Sequence, residues 1–101
     1  MLEDFHHINR AFENKVRLGI MAILMVNDSI DFNTLKEQLS LTDGNLASHA
    51  RALEELKYIS CKKTFVGRKT KTIYKATKKG REAFTEHILA LERFLKSDFQ
   101  D

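Results

Sequence analysis

Asn45, Ser48 and Arg51 recur at every third residue of the stretch Leu41-Thr42-Asp43-Gly44-Asn45-Leu46-Ala47-Ser48-His49-Ala50-Arg51-Ala52-Leu53. Each carries a side chain suited to a nucleic-acid surface. An asparagine amide donates and accepts at an adenine edge, a serine hydroxyl bonds several bases, and an arginine reaches guanine or a phosphate. At helical spacing these three, with Gly44 and Ala52, project from the side opposite Leu46, Ala50 and Leu53. A solvated helix face ordinarily carries long charged side chains. This one carries a glycine, an amide, a hydroxyl and an alanine with a single arginine, so the helix can approach a surface closely. Thr42 has the hydroxyl to cap its start, Asp43 suits the positive helix end, and the first backbone N–H groups can meet a phosphate. His49 stands at the border of the two sides, where it either braces the helix or touches the bound surface.

A second concentration of chemistry follows. Residues 57–81 hold Lys57, Lys62, Lys63, Arg68, Lys69, Lys71, Lys75, Lys78, Lys79 and Arg81 without one acid, which is ten of the 17 Lys and Arg in a chain of net charge +3. A polyanion is the natural partner of such a distribution. Residues 58–65 and 70–76 read as two strands around Val66-Gly67-Arg68-Lys69, a basic hairpin. Lysines that guard an edge against aggregation account for a few charges. The absence of acid over so long a run points instead to phosphate neutralisation with release of counterions. Arg68 and Lys69 at the tip suit a minor groove, and Lys62, Lys63, Lys71 and Lys75 the flanking phosphates.

Other chemistries find no pattern. His6 and His7 are adjacent and cannot share a helix face, and His49 and His87 lie far from them, so neither a metal nor any other cofactor is expected. The single cysteine, Cys61, excludes an intrachain disulfide and every cysteine-pair zinc pattern, and agrees with a reducing compartment. It alternates with Ile59 and reads as a buried structural thiol. No nucleophile–base pair, Gly-rich phosphate loop or paired carboxylates stand out, so the chain is not expected to be an enzyme.

The elements that must carry these residues are short and closely spaced. A length of 101 residues, 43% hydrophobic and 31% charged, bounds one domain with a modest core, and the absence of proline with only four glycines leaves little loop. Phe5, Ile8 and Phe12 predict a short helix within residues 1–13. From Asn14, the positions Val16, Ile20, Ala22, Ile23, Leu24 and Val26 predict a central core helix buried on most sides. Ile30-Asp31-Phe32 reads as an extended stub, and Asp31 or Asn33 can cap the next helix, which turns Leu35 and Leu39 inward. That helix and the Asn45 helix, joined by a tight turn, read as a DNA-binding helix-turn-helix. Thr77 caps a closing helix with an apolar stripe of Ala83, Phe84, His87, Ile88, Leu91, Phe94, Leu95 and Phe99. This stripe outruns a three-helix core, so Ile88, Leu91, Phe94 and Leu95, with Phe5, Ile8 and Phe12, are expected to pair with a second copy across a two-fold axis. No apolar run approaches a membrane span, and Met1-Leu2-Glu3-Asp4 is acidic where a signal peptide is basic, so a cytoplasmic protein without membrane contact is expected.

With these residues in view, the chain resembles the winged helix-turn-helix transcriptional regulators of the MarR-like and ArsR-like kind, in particular the compact single-domain group. The likeness rests on Leu41-Thr42-Asp43-Gly44-Asn45-Leu46-Ala47-Ser48-His49, then Phe65-Val66-Gly67-Arg68-Lys69, then Tyr74-Lys75-Ala76-Thr77-Lys78-Lys79-Gly80-Arg81, in that order, and spans residues 14–95. It implies an α+β, mainly α fold: one domain over residues 1–101, with the helix-turn-helix at 32–57, a two-stranded basic wing at 58–76 and a long C-terminal dimerisation helix at 77–97. It also implies a homodimer that represses or activates at a promoter. Two positions depart from the family pattern. Lys57 stands where the family usually has glycine and has to take a left-handed conformation, and Ala50 stands where it has a larger aliphatic. The ArsR-like metal ligands are not matched, so metal sensing is not carried over.

The expectation is therefore a sequence-specific regulator of double-stranded DNA, with Thr42, Gly44, Asn45, Ser48, His49, Arg51, Lys62, Arg68, Lys69 and Lys71 on the DNA. Two rivals stay open: a winged-helix module for protein or RNA contact, and a sensor repressor responding to an unknown small effector.

Overall fold

Four helix starts are set by side chains that accept the otherwise orphaned N–H groups of the first turn. In the computed structural model, which describes residues 2–99 and the side chains of residues 3–96, Asn14 Oδ1 accepts from the N–H groups of Val16 and Arg17 to open α2 (Lys15–Met25). Asp31, rather than Asn33, opens α3 (Phe32–Leu39), accepting from the Thr34 N–H and from the Thr34 hydroxyl at 2.6 Å. That hydroxyl bond holds the Asp31 carboxyl below its ordinary pKa. Thr42 opens α4 (Asp43–Glu55) by accepting from the Asn45 N–H. Thr77 opens α5 (Lys78–Phe99), accepting from the Gly80 N–H while donating to the Lys57 carbonyl. A short α1 (Leu2–His6) precedes these helices. Met1 of the acidic start and the Phe99 side chain of the closing stripe lie outside the described residues.

The turn between α3 and α4 is three residues long, and it closes because Ser40 takes a left-handed conformation (φ 53°). The N–H groups of Ser40 and Leu41 then reach back to the Glu37 and Lys36 carbonyls in a Schellman pattern. Ile30–Asp31 forms β1, and Ile59–Val66 and Lys69–Ala76 form β2 and β3 in an antiparallel sheet of order β1-β3-β2. The stub is thus two residues long and pairs with Tyr74 and Ile73. Phe32 belongs to α3, and Tyr58 lies just outside the wing strands. Gly67, first of the two turn residues, has φ 65°, the position at which a type II′ hairpin turn requires glycine.

The core joins Ile20, Met21 and Leu24 of α2, Leu35 of α3, Leu46, Ala50 and Leu53 of α4, Ile59 and Tyr74 of the sheet, and Phe84 of α5. Each large aliphatic so buried contributes about 1.5–3 kcal/mol relative to exposure. Two expectations are corrected here. The central helix does pack on most sides, with Val16, Leu18, Ile23 and Met25 partly buried around Ile20, Met21 and Leu24, but two of its expected core positions do not: Ala22 is exposed, and Val26, the C-cap just past its end, is 81% exposed. Nor do Phe5, Ile8 and Phe12 share one short helix: α1 ends at His6. Asn9 breaks it, donating its N–H to His87 Nδ1 at 2.9 Å and capping a separate 3-10 turn, Arg10–Phe12. That break rotates Phe12 inward to 2% exposure, stacked on Tyr58 and edge-on to Phe84. Phe12 is a core residue of its own chain and is not available to a second copy.

Lys57 adopts φ 64°, the left-handed conformation its position implies, and turns the chain from α4 into β2. Gly80 is needed for a different reason: a Cβ there would overlap the Tyr58 carbonyl, to which Thr77 also donates its N–H at 3.0 Å. The start of α5 is therefore pressed against the α4–β2 turn. The radius of gyration is 15.4 Å, against about 13 Å for a compact chain of this length, because the wing and the far end of α5 project from the core. No helix among the described residues is long and apolar enough to cross a membrane.

Candidate nucleic-acid interface

Burial divides α4. Leu46, Ala50 and Leu53 are sealed in the core, while Thr42, Gly44, Asn45, Ser48 and Arg51 are exposed; Ala52, expected on the outer side, is instead half-buried beside Arg17 and Tyr58. The same helix stripe that anchors α4 thus presents the slim polar side outward. Lys36 Nζ pairs with Asp43 Oδ1 at 2.8 Å across the turn, tying the outer end of α3 to the first residue of α4. His49 is half-buried, its Nδ1 3.4 Å from Arg17 Nη1, and Arg17 Nε donates to the Ala11 carbonyl at 2.6 Å. Of the two roles open to His49 in the sequence, this contact supplies the brace, linking α4 through α2 to the residues before it.

The register of the hairpin sorts its charges. Cα-paired residues of antiparallel strands point to the same face. Cys61 with Tyr74, Lys63 with Thr72 and Phe65 with Thr70 therefore share one face. Ser60 with Lys75, Lys62 with Ile73, Thr64 with Lys71 and Val66 with Lys69 share the other. The first face turns to α4, and between them lies an open cleft of about 560 Å³ lined by residues including Arg51, Glu54, Cys61, Lys63 and Thr72. Lys62, Lys69, Lys71 and Lys75 form the outer face, all exposed, with Arg68 in the turn. Sequence reasoning treated Lys63 as one flanking lysine among four and omitted Thr72. The signal was available in the parity of Lys63 with Ile59 and Cys61.

The cleft's donors include the Lys63 ammonium and the Thr72 hydroxyl on the sheet side and the Arg51 guanidinium on the α4 wall, which also carries Glu54 and Glu55. Burial, with Glu54 nearby, pushes the Cys61 thiol up from its ordinary pKa, and burial pushes Tyr74 up to about 12. Both groups stay neutral at pH 7 and pack rather than ionise.

On the side away from the wing, α1 docks on α5. Asp4 accepts from Arg93 Nε at 2.9 Å, His7 Nδ1 lies 2.7 Å from Glu86 Oε1, and the Phe5 and Phe94 rings are 5.7 Å apart. Phe5, Ile88 and Leu95 stay exposed, and Ile8, Leu91 and Phe94 are half-buried beneath them. His87, placed by the sequence in the apolar stripe and set aside as a metal ligand, is 4% exposed and holds Asn9. Its burial lowers its pKa.

The winged helix DNA-binding domain family matches residues 16–95. An uncharacterized protein of Methanocaldococcus jannaschii is 41% identical over 88 residues, which span 87% of this chain and 96% of that protein. Among solved structures, a transcriptional regulator homologue from Pyrococcus horikoshii OT3 is 29% identical with a TM-score of 0.88, covering 96% of this chain and 98% of that one. A MarR-family transcriptional regulator from Rhodococcus sp. RHA1 shares the fold at 14% identity, with a TM-score of 0.67 over 97% of this chain and 71% of that one.

Proposed function

The chain belongs to the winged helix DNA-binding domain family, and from that premise we propose that it is a sequence-specific transcriptional regulator of double-stranded DNA, acting as a cytoplasmic homodimer. The observation that carries this reading is the arrangement of α4 beside the wing. A slim polar helix face, a cleft and a basic hairpin follow one another across one side of the molecule. A major groove about 12 Å wide admits α4. There Asn45 and Ser48, with Gly44 allowing close approach, meet base edges, and the capped start of the helix at Thr42 meets a phosphate. The phosphate strand that separates major from minor groove then runs through the cleft against Arg51, Lys63 and Thr72. Arg68 and Lys69 reach the minor groove, and Lys62 and Lys71 hold backbone beyond it. His49 acts on DNA through its brace on α4.

The dimer reading rests on Phe5, Ile88 and Leu95, exposed along the docked α1–α5 pair, with Ile8, Leu91 and Phe94 beside them. Pairing this strip across a two-fold axis removes it from water and places two α4 helices on one side of a duplex. Selection of bound fragments from random duplex DNA tests the proposal. It should return an inverted repeat with half-site centres about 10 base pairs, or a multiple of a helical turn, apart. A matched RNA hairpin should bind weakly, since the A-form major groove is too narrow for a recognition helix. Equal binding of the RNA, or selected sites without a dyad, would contradict the reading.

A further inference from the structure

The wing ends in two large apolar side chains that lie outside the core: Phe65 is 76% and Val66 63% exposed. A hairpin that only neutralises phosphates gains nothing from a solvated phenyl ring near its tip, where threonine would keep the strand and a lysine its solubility. The register separates the pair. Val66 pairs with Lys69 on the outer face, whereas Phe65 pairs with Thr70 on the face of Cys61, Lys63 and Thr72, the one that walls the cleft beside α4. Phe65 therefore lies one rung short of the terminal pair, on the face that turns to α4. Lys63 precedes it by two positions on that same face, and Arg68 and Lys69 follow in the turn and the returning strand.

Resting on the duplex-binding reading above, we propose that Phe65 is an apolar wedge for the minor groove. The cations on either side of the ring hold the two phosphate strands, and the ring is pressed between them against a base step. Apolar side chains so placed partly unstack the step and bend the duplex. The step that yields most readily is pyrimidine–purine, so Phe65 is a specificity element separate from Asn45 and Ser48, reading deformability where they read base edges.

The test uses the full chain and its selected duplex, with 2-aminopurine placed in turn at each step flanking the half-sites. Saturation with the wild-type protein should raise the fluorescence at one flanking step, the mark of unstacking. Phe65→Ala should abolish the rise, bind about tenfold more weakly where that step is TA or CA, and lose the wild type's preference for those steps over a stiff A-tract. Its salt slope should be unchanged, because no charge is removed. Phe65→Leu, still an apolar wedge, should keep the rise. An unshifted thermal midpoint checks that the exposed substitution leaves the fold intact. Saturated binding without a rise at any flanking step overturns the wedge and leaves the duplex reading standing. Affinity lost in Phe65→Ala when the wild type shows no rise makes the ring a sugar-edge contact and likewise overturns the wedge. A wild-type chain that does not bind duplex DNA overturns both.

Discussion

Replacing Arg68 and Lys69 together by alanine removes the turn charge and the first charge of β3 from the end of the wing, where both side chains are exposed and the fold does not rely on them. Each phosphate contact contributes about 0.9 to the slope of log affinity against log salt, so the pair accounts for about 1.8 units on one wing and about 3.6 on the two wings of a dimer. Between 50 and 200 mM salt, the larger figure means that the wild type loses roughly a hundredfold more affinity than the variant. Fluorescence anisotropy on a labelled duplex at four salt concentrations reads the slope directly. The change should be the same on a preferred site and on random sequence, because phosphate contacts carry no sequence information. Lys96→Ala, which removes a lysine paired to Glu92 far along α5, is the control and should leave the slope as it was. An unchanged slope in the Arg68/Lys69 variant would show that the wing tip does not touch DNA. A change near 1.8 would mean two phosphate contacts in all, both on one wing or one on each.

Ile88→Asp places a charge in the exposed α5 strip without touching the core; sedimentation at micromolar concentration should give a dimer for the wild type and an 11.7 kDa monomer for the variant, and a monomeric wild type would refute the two-fold reading. His87 should make stability fall in mild acid. Its folded pKa is lowered by burial, so as pH drops below the unfolded value of about 6.5 the unfolded chain takes up the proton more readily. The loss grows until pH passes the folded value, where the proton also disrupts acceptance from Asn9 and the pull of Glu13 only partly offsets burial. Urea unfolding between pH 7.5 and 5 should be flatter in His87→Gln than in the wild type, and equal pH dependence would count against this. Gly80→Ala should cost about 1–3 kcal/mol, since its Cβ meets backbone that has no rotamer to yield; an unshifted urea midpoint would show that α5 can move away from Tyr58 freely.

What the sequence disclosed was mostly local. Thr42 and Thr77 cap the helices they were expected to cap, and Asp31 is one of the two caps offered for α3, because a cap needs only the next three residues. The hairpin ends lie within a residue of expectation because Gly67 marks its turn. The outer side of α4 was legible at Gly44, Asn45, Ser48 and Arg51 because burial of Leu46, Ala50 and Leu53 at helical spacing fixes what remains exposed, but Ala52 is half-buried. What escaped depends on partners far away in the chain. Phe5, Ile8 and Phe12 have the spacing of one helix, but the contact that breaks it, Asn9 to His87, spans 78 residues. No local pattern announces that Phe12 turns inward. The stub at Ile30 likewise gave no sign that it would pair with β3. The division of the wing's charges between two faces was legible in principle, since strand parity separates Lys63 and Phe65 from Lys62 and Val66. It acquires meaning only once α4 is known to lie against one of those faces.

The central claim, that α4 reads sequence while the wing holds backbone, is tested most directly by the affinity of Asn45→Ala for the selected site and for a scrambled duplex at one salt concentration. Asn45 is exposed on α4, and its side chain is absent from the helix cap, which uses only its backbone N–H. Its loss should therefore cost about 1–3 kcal/mol on the selected site, the scale of one bidentate base contact, and leave the scrambled duplex and the salt slope nearly unaffected. Equal losses on both duplexes, or no loss on either, would mean that α4 is a scaffold and that sequence is read elsewhere.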